Sequence, residues 1–241
     1  MAIENGIILA GGTGSRLAPL TSLFNKHMVP VYNKFIIDYP VSTIKNIGIK
    51  NLTIVLGGDH FSQVVSHLQD GEKFGLNINY VYQSKPIGIA QGINLCESFI
   101  KDKFVVVLGD NIFENPINFG EGEAAQIVLH KHQELNRFGV ASIDRSSGKI
   151  VNIVEKPKVI DEQYDNYAIT GCYLFDRQYF DFFKQIKPSA RGEYEITDII
   201  DQYNKANKLQ YTRVNGLWSD AGTHESINFV NNFFYYKGKS A

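Results

Sequence analysis

The chain has 241 residues, 44% of them hydrophobic and 20% charged, which is enough apolar material for one large globular domain with a sizeable core and excludes a disordered tail or a small disulfide scaffold. Its 24 Lys and Arg stand against 25 Asp and Glu, a formal net charge of −1. No broad positive field exists to hold duplex nucleic acid, so nucleic acid is not an expected partner and any anion site must be local.

The opening Met-Ala-Ile-Glu-Asn-Gly lacks the basic-then-apolar pattern of a leader, and no stretch approaches the roughly 20 apolar residues that span a bilayer. A soluble, cytoplasmic protein with no membrane partner is expected. Cys96 and Cys172 are too far apart for a disulfide framework and sit at no metal-ligand spacing, so both are expected as reduced core residues.

Short apolar runs alternate with amphipathic segments through the first half, the pattern of an α/β protein with a mainly parallel sheet flanked by helices. Strands are expected at residues 6–10, 52–56 and 78–82, with helices at 38–46, 61–68 and 88–100. Residues 104–108 read Phe-Val-Val-Val-Leu, too short for a typical helix and rich in β-branched side chains, hence a central strand. Beyond Gly109 the β-prone pieces are 125–129, 139–143, 150–155 and 168–175, and helices return at 178–185, 196–205 and 223–235. No Pro/Ser-rich linker, repeat or low-complexity segment separates the halves, so one domain over residues 1–241 is expected.

Directly after the first strand comes Gly11-Gly12-Thr13-Gly14-Ser15-Arg16-Leu17, where backbone N–H groups can close around phosphates because no Cβ blocks the approach. A P-loop would need Lys then Ser or Thr after its second Gly, and a dinucleotide fingerprint a third Gly where Leu17 stands. Neither fits. Instead two cations, Arg16 and Lys26, follow the cradle.

The stretch Gly6-Ile-Ile-Leu-Ala-Gly-Gly-Thr-Gly-Ser-Arg-Leu-Ala-Pro-Leu-Thr21, continued by Asn25-Lys-His-Met-Val-Pro-Val-Tyr-Asn-Lys34, resembles the signature of sugar-1-phosphate nucleotidylyltransferases, most nearly the glucose-1-phosphate thymidylyltransferases. The resemblance implies a Rossmann-like three-layer nucleotidyltransferase fold with a central, mostly parallel mixed sheet. It implies a nucleotide-binding half at about residues 1–113 and a sugar-binding half at about 114–241. Leu9, Gly11, Gly12, Thr13, Gly14, Ser15 and Arg16 would then surround the nucleoside triphosphate, with Arg16 and Lys26 on phosphates.

Gln83-Ser-Lys-Pro-Ile-Gly-Ile-Ala-Gln91 is similar to the family segment that reads a pyrimidine, with Gln83 as reader and Gly88 packed close to the base. A side-chain amide offers one donor and one acceptor, matching a thymine or uracil edge. Asp110, at the end of the Val-rich strand, and Asp220, in Trp218-Ser-Asp-Ala-Gly-Thr-His-Glu-Ser226, are the metal candidates. Mg²⁺ is the implied cofactor, because it prefers oxygen and is commonly held by one or two carboxylates plus substrate phosphates.

Glu155-Lys156-Pro157 resembles the element whose Lys holds the sugar phosphate and whose Glu meets sugar hydroxyls. Arg137-Phe138-Gly139-Val140 resembles a Tyr-Gly-Val sugar contact with Phe in place of Tyr, at the cost of one hydroxyl donor. Gly171 in Tyr167-Ala-Ile-Thr-Gly171 would allow close sugar approach, while Glu195 and Asp198 are expected in the N-terminal structure of a helix. The catalytic set implied is Arg16, Lys26 and Lys156, and the sugar-side set Gly139, Glu155, Lys156 and Gly171.

The resemblance covers about Gly6 to Asn232 and implies dTTP or UTP plus a sugar 1-phosphate as partners. It also implies that a further C-terminal helical segment of the bacterial family is missing, with feedback control lost or altered. The run Phe233-Phe-Tyr-Tyr236 is a candidate for core or for contact in a homo-oligomer, and the sequence leaves both open. A glycosyltransferase would present Asp-x-Asp, which Asp110-Asn111-Ile112 lacks. His130-Lys131-His132 and His224 fall short of a three-ligand metal site. A nucleotide-sugar-sensing subunit without turnover is the non-enzymatic alternative.

Overall fold

In the computed structural model, which describes residues 3–120, 122 and 124–239, the strands and helices follow in this order: β1 (Asn5–Ala10), β2 (Pro30–Val31), β3 (Lys34–Phe35), α1 (Asp38–Ile47), β4 (Asn51–Leu56), α2 (Phe61–Leu68), β5 (Asn77–Tyr82), α3 (Ile89–Asn94), β6 (Phe104–Leu108), β7 (Asn111–Phe113), β8 (Ala125–His130), β9 (Gly139–Ile143), β10 (Ile150–Glu155), β11 (Asp165–Phe175), α4 (Gln178–Phe183), α5 (Ile196–Lys205), β12 (Leu209–Arg213), β13 (Trp218–Asp220) and α6 (His224–Lys239). The main sheet runs β10-β9-β11-β6-β1-β4-β5, with β8 and then β12 added beside β11. Its heart, β6-β1-β4-β5, is parallel. β11 is antiparallel to β6, β8 and β9.

β6 is buried on both faces, which explains its unbroken apolar run. Phe104 and Val106 pack with α3, α4 and α5 on one side, and Val105 and Val107 with α1 and α2 on the other. The sheet thus carries helices on both faces, as the alternation of runs predicts. α1 ends where Gly48, at φ +93, donates its N–H back to the Ile44 and Lys45 carbonyls, the left-handed cap that glycine adopts without Cβ strain.

The topology places an opening in the sheet. β11 pairs with β9 through Asp165 to Ala168 and with β6 through Cys172 to Phe175. Between these registers, at 169–171, the C-terminal end of β6 and the N-terminal end of β9 face a gap. Beside it β7 and β13 form a separate antiparallel ribbon with Asp220 opposite Asn111. The Ala221 N–H donates to the Asp110 carbonyl at 2.8 Å. This ribbon returns residues near 220 to the carboxyl edge of the parallel strands, where α/β sheets hold ligands.

The expected elements 61–68, 104–108, 139–143, 150–155 and 196–205 fall on the observed bounds. The expected helix at 88–100 is a correction: α3 stops at Asn94 and a 3₁₀ turn covers Glu97–Phe99, since Gly92 and Asn94 are weak helix formers. β11 begins three residues earlier than read, because Asp165, Asn166 and Tyr167 are half-buried and carry no apolar run. β7, β12 and β13 were not expected. β12 reads Leu-Gln-Tyr-Thr-Arg, and the ribbon strands are three residues each. Both cysteines are free and buried. No described helix is long and apolar enough to cross a membrane.

Candidate functional site

Two cavities meet at the carboxyl edge of β1 and β6. The smaller, about 240 Å³, is lined by Leu9, Gly11, Gly12, Lys26, His27, Gln83 and Gly88 among others. The larger, about 490 Å³, is lined by Arg16, Asp110, Arg137, Phe138, Gly139, Glu155, Lys156, Gly171, Trp218 and Asp220 among others. Ile89, Leu108 and Asp110 border both. Thr13, Gly14 and Ser15 lie along the loop without being among the lining residues.

The glycine loop wraps the stem of Lys26. Gly14 is at φ +69, and a Cβ there would come within 2.8 Å of the Lys26 Cβ. Past it, Ser15–Leu17 form a 3₁₀ turn anchored by buried Leu17, which presents Arg16. Lys26 opens another turn whose preceding residue, Asn25, accepts the His27 N–H through Oδ1 at 3.0 Å. The same Oδ1 lies 2.9 Å from His27 Nδ1, so the imidazole carries its proton on Nδ1 and donates there. Burial, then the neighbouring Lys26 charge, push His27 down to about 3. It is a neutral support beneath the lysine.

Lys26 Nζ donates to Asp110 Oδ2 at 2.6 Å, with both side chains mostly buried. Burial alone would raise the Asp110 carboxyl, but the Lys26 ammonium overrides it and holds the group far below the usual range. Asp220 moves the opposite way. Burial and then the Asp110 charge raise it, against the pull of Arg137, Arg16 and Lys26. Arg137 Nη2 donates to Asp220 Oδ1 and Oδ2 at 3.1 and 3.2 Å, and Arg16 Nη2 lies 4.0 Å from Oδ2. Like carboxylates forced together are split in this manner.

Gln83 is buried, with its backbone N–H on the Leu56 carbonyl at 2.7 Å. Its Nε2 donates to Gln91 Oε1 at 2.6 Å, which fixes the amide and leaves its other N–H and its oxygen. Gly88, at φ +114, has a protein reason for lacking a side chain. A Cβ would lie 2.4 Å from the Tyr194 carbonyl oxygen.

Lys156 sits at φ +44, a left-handed conformation uncommon for a side chain of this kind. Its N–H donates to the Phe138 carbonyl at 3.0 Å, tying β9 to the end of β10. Nζ is 3.6 Å from Glu155 Oε1. Burial raises the Glu155 carboxyl despite Lys156, and Thr197 Oγ1 donates to it at 3.3 Å. Phe138 and Trp218 pack at 5.0 Å between centroids, with His132 against both, forming an apolar wall. A Cβ at Gly171 would lie 2.6 Å from Leu108 and 2.7 Å from Asn111, so that glycine makes room for protein atoms.

The candidates Arg16, Lys156, Asp110 and Asp220 share the larger cavity, and Lys26 reaches it through Asp110 from the smaller one. Arg137 and His27 were not singled out. Arg137 stood beside the Phe-Gly-Val motif and His27 beside Lys26, but nothing in residue type separated them from ordinary polar neighbours. Glu195 holds the position immediately before α5, as expected, without a side-chain bond to the helix; its carboxylate accepts from Arg191 at 2.8 Å and from Ser189 at 2.7 Å. Asp198 does lie in the first turn of α5.

Residues 5–235 match the nucleotidyl transferase family model. The chain is 36% identical over 230 residues to the low-salt glycan biosynthesis nucleotidyltransferase Agl11 of Haloferax volcanii, covering 92% of this chain and 63% of that protein, under two thirds of its length. It is 36% identical over 248 residues to the glucose-1-phosphate thymidylyltransferase of Xanthomonas campestris, covering 97% of this chain and 81% of that one. A crystal structure from Bacillus anthracis, provisionally designated a glucose-1-phosphate thymidylyltransferase and holding sucrose, superposes with a TM-score of 0.87 at 43% identity over 95% of this chain and 94% of that one. UDP-glucose pyrophosphorylase, at 22% identity and TM-score 0.82 over 98% of this chain and 99% of that one, shares the fold.

Proposed function

The chain belongs to the nucleotidyl transferase family, among the sugar-1-phosphate nucleotidylyltransferases, and on that footing we propose that it joins dTTP to glucose 1-phosphate, forming dTDP-glucose and pyrophosphate. The observation that carries this reading is the joining of two cavities at Asp110: one bears the glycine loop, Lys26 and Gln83, the other Lys156, Glu155 and Arg16. Two phosphorylated molecules repel each other, so bringing them together requires cations from both sides and a fixed geometry.

In this reading thymine lies on Gln83 and the triphosphate follows the loop past Gly11 and Gly12. Arg16 steadies the departing pyrophosphate, and Lys26, held in place by Asp110, faces the α-phosphate. Lys156 draws in the sugar phosphate, whose oxygen attacks the α-phosphorus in line. The bond from that phosphorus to the bridging oxygen of the leaving pyrophosphate breaks as the new one forms. Glu155 offers its carboxylate to sugar hydroxyls while the Phe138–Trp218 wall excludes water.

The donor set suits Mg²⁺. Asp110 and Asp220 are held on adjoining strand ends, and the described residues include no cluster of three or more His, Cys, Asp or Glu that could form a closed site. A hard cation that takes its other ligands from phosphates and water fits such a pair. When bound by Asp110 and Asp220, Mg²⁺ would supply neutralisation of the phosphate oxygens.

The reading is tested by a matrix of dTTP, UTP, CTP, ATP and GTP against several sugar 1-phosphates, scored by pyrophosphate formation. Highest turnover with dTTP and glucose 1-phosphate is expected. Preference for a purine triphosphate would remove Gln83 as base reader, and no turnover with any pair would leave a sensing subunit.

A further inference from the structure

Arg137 is the cation of the larger cavity that lies directly on Asp220. Its Nη2 donates to both carboxylate oxygens at 3.1 and 3.2 Å, and its Nη1 donates to Glu134 Oε2 at 2.7 Å. The guanidinium carbon is 5.2 Å from the Phe138 ring centroid. The fork is therefore held by a mostly buried carboxylate, an exposed one and an aromatic face together. Arg16, the other guanidinium near Asp220, comes only to 4.0 Å and is more than half exposed.

The oxygens that Arg137 engages are those a divalent cation would use at Asp220. A guanidinium resting on them repels such a cation and competes for the same lone pairs. A triphosphate changes the balance by bringing several negative charges into the cavity. Arg137 also has somewhere to go, since Glu134 can keep it once Asp220 is engaged elsewhere. Building on the reading that Asp110 and Asp220 hold the metal, we propose that Arg137 is a positioning residue acting through Asp220: it neutralises that carboxylate in the free protein and opposes divalent-cation entry until a triphosphate arrives with the cation. Free enzyme stays metal-poor, and metal loading becomes coupled to nucleotide binding.

The test is titration of the full chain with Mn²⁺ alone and with Mn²⁺ plus dTTP, following loss of the free Mn²⁺ electron paramagnetic resonance signal, with folding of each variant checked by thermal melting. R137M is expected to bind Mn²⁺ without nucleotide about tenfold more tightly than wild type, because a unit like charge near the ion is gone. R137K should stay within about threefold of wild type, since the charge is kept, and with dTTP the gap between wild type and R137M should close. R137Q replaces R137M should the latter fail to fold. A merely structural role for Arg137 would weaken Mn²⁺ binding on removal, never tighten it.

Equal or weaker binding by R137M and R137Q, with D220N still abolishing it, would overturn the role of Arg137 and leave the metal pair standing. If D110N and D220N bind Mn²⁺ as well as wild type with and without dTTP, the metal pair itself fails and the proposal with it.

Discussion

Lys26 Nζ and Asp110 Oδ2 lie 2.6 Å apart with side-chain exposures of only 11% and 15%, so the ammonium that faces the junction of the two cavities is oriented by the carboxylate next to it. Removing one member of such a buried pair strands the other, at about 3–5 kcal/mol. Lys26→Met should therefore lower the melting temperature and reduce kcat by ~10²-fold or more, as loss of an electrostatic contact to a developing anion does. Asp110→Asn strands the Lys26 ammonium and should lower the melting temperature as well, but an amide still fits the site, so the variant should fold while losing metal-dependent pyrophosphate release. Lys26→Met combined with Asp110→Asn should recover stability relative to Lys26→Met alone without recovering turnover, read by thermal melting beside the release assay. Near-normal turnover of Asp110→Asn would remove that carboxylate from the mechanism.

His27 predicts a pH dependence of stability. Its folded value, about 3, lies below the ordinary 6.5, so the unfolded chain takes up a proton that the folded one refuses. The contribution is complete above pH 6.5 and falls as pH drops from there toward 3, by about 1.4 kcal/mol per unit within that window. Urea unfolding at pH 7, 6 and 5 should show the slope in the wild type and a shallower one in His27→Gln. Identical slopes would mean that the imidazole is free to charge in the fold.

Lys156 separates stability from activity in the other direction. Its side chain is 44% exposed and its contact with Glu155 is 3.6 Å, a pair of the kind that contributes little to folding. Lys156→Ala should leave the melting temperature nearly unchanged, raise KM for the sugar 1-phosphate and lower kcat by about 10²-fold, with KM for the triphosphate moved far less. Equal effects on both KM values would place the lysine between the substrates instead of on the sugar side.

Gln83 should act on the base. Its amide is pinned by Gln91, so Gln83→Leu removes the remaining donor and acceptor and is expected to reduce kcat/KM for dTTP and UTP alike by about 10-fold or more, the scale of one buried polar partner lost. Gln91→Leu frees the amide without removing it and should cost less. Both are read by steady-state kinetics with the two nucleotides, and an unchanged kcat/KM in Gln83→Leu would place the base elsewhere.

What could be read from residue order and what could not follow from range. The glycine turn, Arg16 and Lys26 lie within one short segment, and Phe104 to Leu108 announces a strand buried on both faces, so these elements were legible. Asp220 was legible through its motif, but its approach to Asp110 depends on the β7–β13 ribbon, whose three-residue strands have no periodicity to read. Nothing local tied Arg137 to Asp220, because that partner is 83 positions away. Gly88 and Gly171 were legible as glycines needing space, yet the atoms that fill the space are Tyr194, Leu108 and Asn111, neighbours that only the folded chain supplies. Phe233 to Tyr236 divides on α6: Phe234 packs on Tyr39 at 5.5 Å between centroids, while Tyr235 and Tyr236 face outward.

The most direct test of the central claim is a crystal structure of the chain with dTDP-glucose bound. The diphosphate is expected across the junction at Asp110, between Lys26 and Lys156, with thymine hydrogen-bonded to Gln83 and the glucose beside Glu155 and the Phe138–Trp218 wall. A ligand seated away from that junction, or one spanning it with neither lysine near the diphosphate, would contradict the account.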